Sequence, residues 1–118
     1  MAEPGAVRDV GGLDSEDQKL VTLARAARAR TRAPEGAALR DDLGRTYAAS
    51  TVRLPSLQLS ALQAAVAAAF SSGSDIVTAV VVHTAAGELG RDDRAVVADV
   101  DPDIVLLADA DGSVRRLR

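Results

Sequence analysis

From Asp14 to about Arg30, apolar residues fall at Leu20, Leu23, Ala24 and Ala27, the three- and four-residue steps of a helix with one buried face. Asp14, with Asp17 three residues on, supplies the polar start such a helix needs, and Pro34 and Gly36 stop it. Two short apolar segments, residues 37–40 and 45–51, flank Asp41-Asp42-Leu43-Gly44 and predict a β-hairpin. After Pro55, Ser56 opens a strongly helical stretch over residues 57–70. Leu59, Leu62, Ala65, Val66 and Ala69 repeat there at helical spacing, and Ser71 to Ser74 end it. That helix is apolar nearly all round, which predicts a central element covered on most sides.

Residues 76–82 form a nearly unbroken β-branched run, the pattern of a strand buried on both faces. Residues 84–91 read as a loop. Residues 92–100 read as a short amphipathic helix with Ala95, Val96 and Val97 inward, closed by Pro102. Residues 104–108 are a second buried-type strand, and Asp111-Gly112 turns the chain into a last strand over 113–117. The predicted order is α-β-β-α-β-α-β-β, a mixed α/β sheet with helices on both faces. Residues 1–12 carry Pro4, Gly5, Gly11 and Gly12 without an apolar period and read as a mobile tail before one domain over 13–118.

Composition narrows the chemistry. Hydrophobic residues make up 47% of the 118, but aromatics only 2%, so the core is one of Ala, Val and Leu, and self-association would add buried surface to a small domain. The absence of cysteine removes disulfides, thiolate nucleophiles and cysteine-held zinc. A net charge of −3 gives no field to gather nucleic acid or an anionic membrane. The arginines at 25, 28, 30 and 32 suit the C-terminal end of the first helix. No run approaches the roughly 18 apolar residues of a membrane span. The opening MAEPGAVRDVGG lacks the features of a signal peptide, so a cytoplasmic location is expected.

Several phrases give the domain a likeness. Gly44-Arg45-Thr46-Tyr47, the stretch Ser60-Ala61-Leu62-Gln63 leading to Ser72-Gly73, and Pro102-Asp103-Ile104 resemble phrases of the small single-domain cytidine deaminases, over about residues 13–117. The resemblance implies their three-layer α-β-α fold. In that family the first zinc helix begins Cys-Ala-Glu-Arg and the second motif reads Pro-Cys-x-x-Cys-Arg-Gln. Counting back from Gly73 puts Ser60 on a zinc-ligand position and Leu62 on that of the proton-shuttling glutamate. Counting back from Asp101-Pro102 aligns Leu89 to Ala95 with the second motif, so that Gly90 and Asp93 take the cysteine positions and Arg94 alone is retained. Where the family grips the sugar with Asn-x-Glu, this chain has Thr51-Val52-Arg53. It also ends at Arg118, short of the family's usual C-terminal segment, which predicts a less closed site.

Cytosine deamination requires a zinc-activated water and an acid to move protons. A hydroxyl, a glycine and one carboxylate make a poor zinc set, and Leu62 cannot transfer a proton, a loss that alone costs about 10²–10⁴ in rate. The expectation is therefore a degenerate member with no metal or other cofactor. His83, the sole histidine, reads as a satisfied strand-end residue. The acids at 92, 93, 99, 101 and 103 match no calcium-loop spacing, and no Gly-x-Ser-x-Gly turn or phosphate loop is present.

Three functions compete. The first is a non-catalytic protein acting through self-assembly, as a dimer or tetramer, or through a protein partner, with Leu62 filling the old cavity and the Ser60 hydroxyl satisfied by helix backbone. The second is a sensor for a nucleoside or similar small ligand, its pocket lined by Thr51, Arg53, Asp93 and Arg94. In the structural alternative those charges form an internal Asp–Arg pair. The third is residual deaminase activity. A pocket open to solvent at Arg94 favours the sensor, one plugged by Leu62 favours assembly, and bound metal near Asp93 would rescue the enzyme.

Overall fold

The computed structural model describes residues 7–8 and 13–118. In chain order the elements are β1 (Val7–Arg8), α1 (Ser15–Thr31), β2 (Glu35–Asp41), β3 (Thr46–Ser50), β4 (Val52–Leu54), β5 (Leu57–Leu59), α2 (Ala61–Ser71), β6 (Val77–Thr84), α3 (Arg91–Val100), β7 (Ile104–Ala108) and β8 (Val114–Arg116). Six strands make one sheet in the order β1-β8-β7-β6-β2-β3, and β4 and β5 form a separate two-stranded ribbon. Only β6 and β7, joined through α3, run parallel; the neighbouring pairs are antiparallel.

The alternation of side chains along the three central strands builds two cores. Ala37, Leu39, Val80, Val82, Val105 and Leu107 face α2 and α3, where they meet Ala61, Leu62, Ala65, Ala69 and Val97. Ala38, Ala79, Val81, Leu106 and Ala108 face the other way, onto Leu20, Val21 and Ala24 of α1. The result is a three-layer α-β-α arrangement, as the binary pattern predicts.

The predicted cap of α1 is present: Asp14 accepts from the Asp17 amide at 2.9 Å. In the β2–β3 turn, Asp41 is buried and accepts from the Leu43 and Arg45 amides, from Arg45 Nε at 2.7 Å and from the Ser74 hydroxyl at 2.7 Å. One carboxylate thereby fixes the turn and the chain after α2 together.

Several expectations are corrected. Residues 57–60 are not helical: Leu57–Leu59 pair antiparallel with Val52–Leu54, and α2 begins only after Ser60. Ala95 points outward on α3, and only Asp93 and Val97 of that helix are buried. The outer side of α2 is uncovered, with Ala67 and Ala68 exposed and Phe70 43% exposed. Val7 and Arg8 pair with Arg115 and Val114 at the sheet edge, an element the sequence pattern does not announce. The mobile tail expected over 1–12 otherwise lies outside the described residues. No helix among the described residues is long and apolar enough to cross a membrane.

Candidate functional site

Two helix starts converge at the end of the central strands. Ser60 is the N-cap of α2: its hydroxyl accepts from the Gln63 amide at 3.0 Å, and the Gln63 side-chain oxygen accepts from the Ser60 amide at 2.8 Å, a reciprocal capping box. Gly90 is the N-cap of α3 and, lacking a side chain, makes no capping bond of its own. In the first turn of α3, Asp93 is 2% exposed, and Ser60 Oγ donates to its Oδ1 at 2.5 Å. The length is that of a strong hydroxyl–carboxylate hydrogen bond.

Three of the four degenerate positions read from the sequence, Ser60, Gly90 and Asp93, therefore gather at these two helix N-termini. The fourth, Leu62, is fully buried among the residues of the α2-side core. The Ser60 hydroxyl bonds to Asp93 and the Gln63 amide, not to a preceding helical carbonyl, because Ser60 caps the helix instead of lying inside it. Asp93 pairs with Ser60 and not with an arginine. Arg94 is exposed and Nη1 donates to the Leu89 carbonyl at 2.7 Å, and Arg53 is exposed on the ribbon. The expected internal Asp–Arg pair is replaced by a hydroxyl–carboxylate pair.

Burial pushes the Asp93 carboxyl above the ordinary aspartate value; the Ser60 hydrogen bond opposes this, and the charges of Glu35 and Asp92 add to it. A zinc site requires donors free to converge on one ion. Here the hydroxyl and the carboxylate are engaged with each other, and the third position offers no side chain. No three His, Cys, Asp or Glu side chains among the described residues are grouped to hold a metal. These residues do not fit a zinc centre.

Beside Ser60 opens a cleft of about 610 Å³. Its walls are the ribbon (Val52, Arg53, Gln58, Leu59), the start of α2 (Ser60, Gln63), the end of β6 with the following loop (Thr84, Ala85, Ala86), and Asp92; Arg28, Pro34, Glu35 and Thr51 complete it. Thr51 is fixed in place, its Oγ1 accepting from the Glu35 amide at 3.2 Å. Arg28 is partly committed, since its Nε donates to the Ala33 carbonyl at 3.1 Å. Of the predicted pocket residues, Thr51 and Arg53 line the cleft, and Asp93 and Arg94 do not; Leu62 is not among its walls either.

Sequence reasoning missed Glu35, Gln58, Gln63, Thr84 and Asp92. The Ser-x-x-Gln spacing of a capping box was a usable signal for Gln63; the others come together only through the sheet. His83 lies on the α1 face of β6 beside the Asp109 backbone, and its buried Nδ1 makes no hydrogen bond of good geometry, so the ring is less fully satisfied than expected. Burial, and then the nearby Arg28 and Arg25, hold its pKa below the ordinary imidazole value, against the pull of Asp109.

Comparison with known proteins gives the arrangement a context. A family model described as cytidine deaminase-like matches residues 13–112. Among solved structures the chain is similar to the crystal structure of cytidine deaminase from Mycobacterium leprae, at 22% identity and a TM-score of 0.62, with 86% of this chain and 94% of that chain covered. That likeness concerns the fold. No curated protein matches the chain.

Proposed function

The chain belongs to the cytidine deaminase-like family, and from that premise we propose that it is a non-catalytic member that holds a small polar ligand in its cleft without turning it over. The observation that carries this reading is the open cleft beside Ser60, whose walls do not include the core residue Leu62. Deamination requires a metal-activated water and a proton shuttle beside it. At the corresponding positions this chain has a hydroxyl, a glycine, an engaged carboxylate and a leucine. The binding surface, by contrast, is polar: Arg53, Gln58 and the Gln63 side-chain nitrogen offer donors, and Gln58 and Asp92 offer acceptors, around a space large enough for a nucleoside-sized molecule.

Calorimetric titration of the full chain with cytidine and with uridine tests the reading, alongside an ammonia-release assay with added zinc. Binding without ammonia release is expected, and Arg53→Ala weakens it about tenfold, the loss of ~1.4 kcal/mol. Release of ammonia at a catalytic rate would sink the proposal.

A second reading, self-assembly, rests on a different observation. The outer side of α2 carries exposed Ala67 and Ala68 and a Phe70 that is 43% exposed, a surface suited to close packing of another helix. Absence of ligand binding, together with a concentration-dependent oligomer that dissociates on Phe70→Glu substitution, would favour it.

A further inference from the structure

The first turn of α3 has no side-chain cap, and its local tie is the bond from the exposed Arg94 to the Leu89 carbonyl. Gly90 supplies no cap, Arg91, Asp92, Arg94 and Ala95 face outward, and Asp93 is the one buried side chain before Val97. The partner that holds Asp93 lies 33 residues earlier, at the cap of α2. These two helix starts are where the family resemblance puts a bridging ion, and here a single hydrogen bond spans them.

We infer that the Ser60–Asp93 hydrogen bond is a metal-independent clasp that ties the start of α3 to the start of α2 and so fixes the Asp92 wall of the cleft against its Ser60 and Gln63 wall. The geometry supports a fastening role over a passive contact. The bond is short, its acceptor is removed from water, and its donor oxygen is itself oriented by the Gln63 amide. A fastening of this kind leaves no ligand to be displaced by chelators and none to be supplied in the cell. It stands on the same site as the function proposed above but not on the identity of any ligand.

Thermal unfolding of the full chain tests it through a double-mutant cycle. The cycle is needed because Ser60→Ala also removes the α2 cap. Asp93→Ala lowers the Tm by about 5–10 °C in the parent chain, and by less than half as much in the Ser60→Ala background. Asp93→Asn, whose amide oxygen still accepts from the hydroxyl, stays within about 3 °C of the parent. Neither excess chelator nor excess zinc moves the parent Tm. Additive losses in the cycle, a collapse of the Asp93→Asn variant, or a chelator-sensitive Tm would each overturn the clasp. The outcome is independent of the cytidine titration, so failure of the one is distinguishable from failure of the other.

Discussion

Gly36 lies so close beneath α1 that a Cβ on it would stand 2.1 Å from the Ala24 carbonyl oxygen and 2.9 Å from the Arg28 backbone nitrogen. Both obstacles are helix backbone or its root, so no side-chain rotation relieves them. Gly36→Ala must push α1 off the sheet and separate Ala24 from the core it shares with Ala38 and Val81. The expected cost is at or above the upper end of the ~1–3 kcal/mol typical of overpacking. Urea denaturation reads it directly, and an unchanged midpoint would show that α1 can shift freely.

Acid stability turns on Asp41. Burial alone would raise its pKa, but hydrogen bonds from Ser74, from the Arg45 backbone and side chain, and from Leu43 hold it at about 2, below the ordinary 3.8. A carboxyl depressed on folding contributes stability above the unfolded value, and that contribution disappears as pH falls through the folded one. Between about pH 4 and pH 2 the parent chain therefore loses Tm steeply, whereas Asp41→Asn starts lower and declines less. Parallel Tm curves for the two proteins would refute the assignment.

His83 works in the opposite part of the scale. Burial first, then the charges of Arg28 and Arg25, favour the neutral ring. A histidine depressed on folding binds fewer protons than the unfolded chain, so its contribution is present above the ordinary 6.5 and is lost as pH falls below that value. As the chain has one histidine, a proton NMR titration follows a single ring without assignment. A midpoint below 6.5 is expected, and one above it would mean that Asp109 prevails over the arginines.

The place of the degenerate metal positions can be checked by restoring them. A Cβ at Gly90 would meet nothing within 4 Å, and its backbone is extended with φ −70°. A cysteine therefore fits there, and Asp93→Cys shortens that side chain, so that the contact now closed at 2.5 Å opens to admit an ion between positions 60 and 93. The triple variant Ser60→Cys, Gly90→Cys, Asp93→Cys should retain about one zinc per chain after dialysis, through sulfur ligands at ~2.3 Å. Deamination is not expected to return with the metal, because Leu62 supplies no proton shuttle. A triple variant without zinc would show that the three positions do not converge.

Where side-chain periodicity is decided by one buried face, the sequence was readable. The α1 repeat, the β-branched run of β6 and the Asp41–Gly44 turn were each legible because a buried stripe or a glycine at positive φ (82° at Gly44) permits few alternatives. The ribbon was not. Leu59, Leu62, Ala65 and Ala69 satisfy a helical count as well as Val52-Arg53-Leu54 and Leu57-Gln58-Leu59 satisfy an alternating one, and an exposed ribbon lacks the burial that separates the two. The misreading moved the start of α2 by four residues and hid the capping role of Ser60. The cleft was half legible: Thr51 and Arg53 came from the resemblance, but Glu35 and Asp92 reach it from strands and helices whose approach no local pattern records.

The pairing of the central strands also dictates an order of assembly. The β2–β3 hairpin and the β7–β8 hairpin each join neighbouring stretches of chain and can form as soon as those stretches exist. The strand between them cannot: β6 joins Ala38 to Val81 on one side and Val81 to Leu106 on the other, with the ribbon and α2 looped out before it and α3 after it. Until Val77–Thr84 slots in, two half-sheets must wait with apolar edges bare, and closure of those loops is what they wait for. Topology thus predicts that refolding of this chain waits on the insertion of β6, and that the halves it joins expose unpaired strand edges while it is missing.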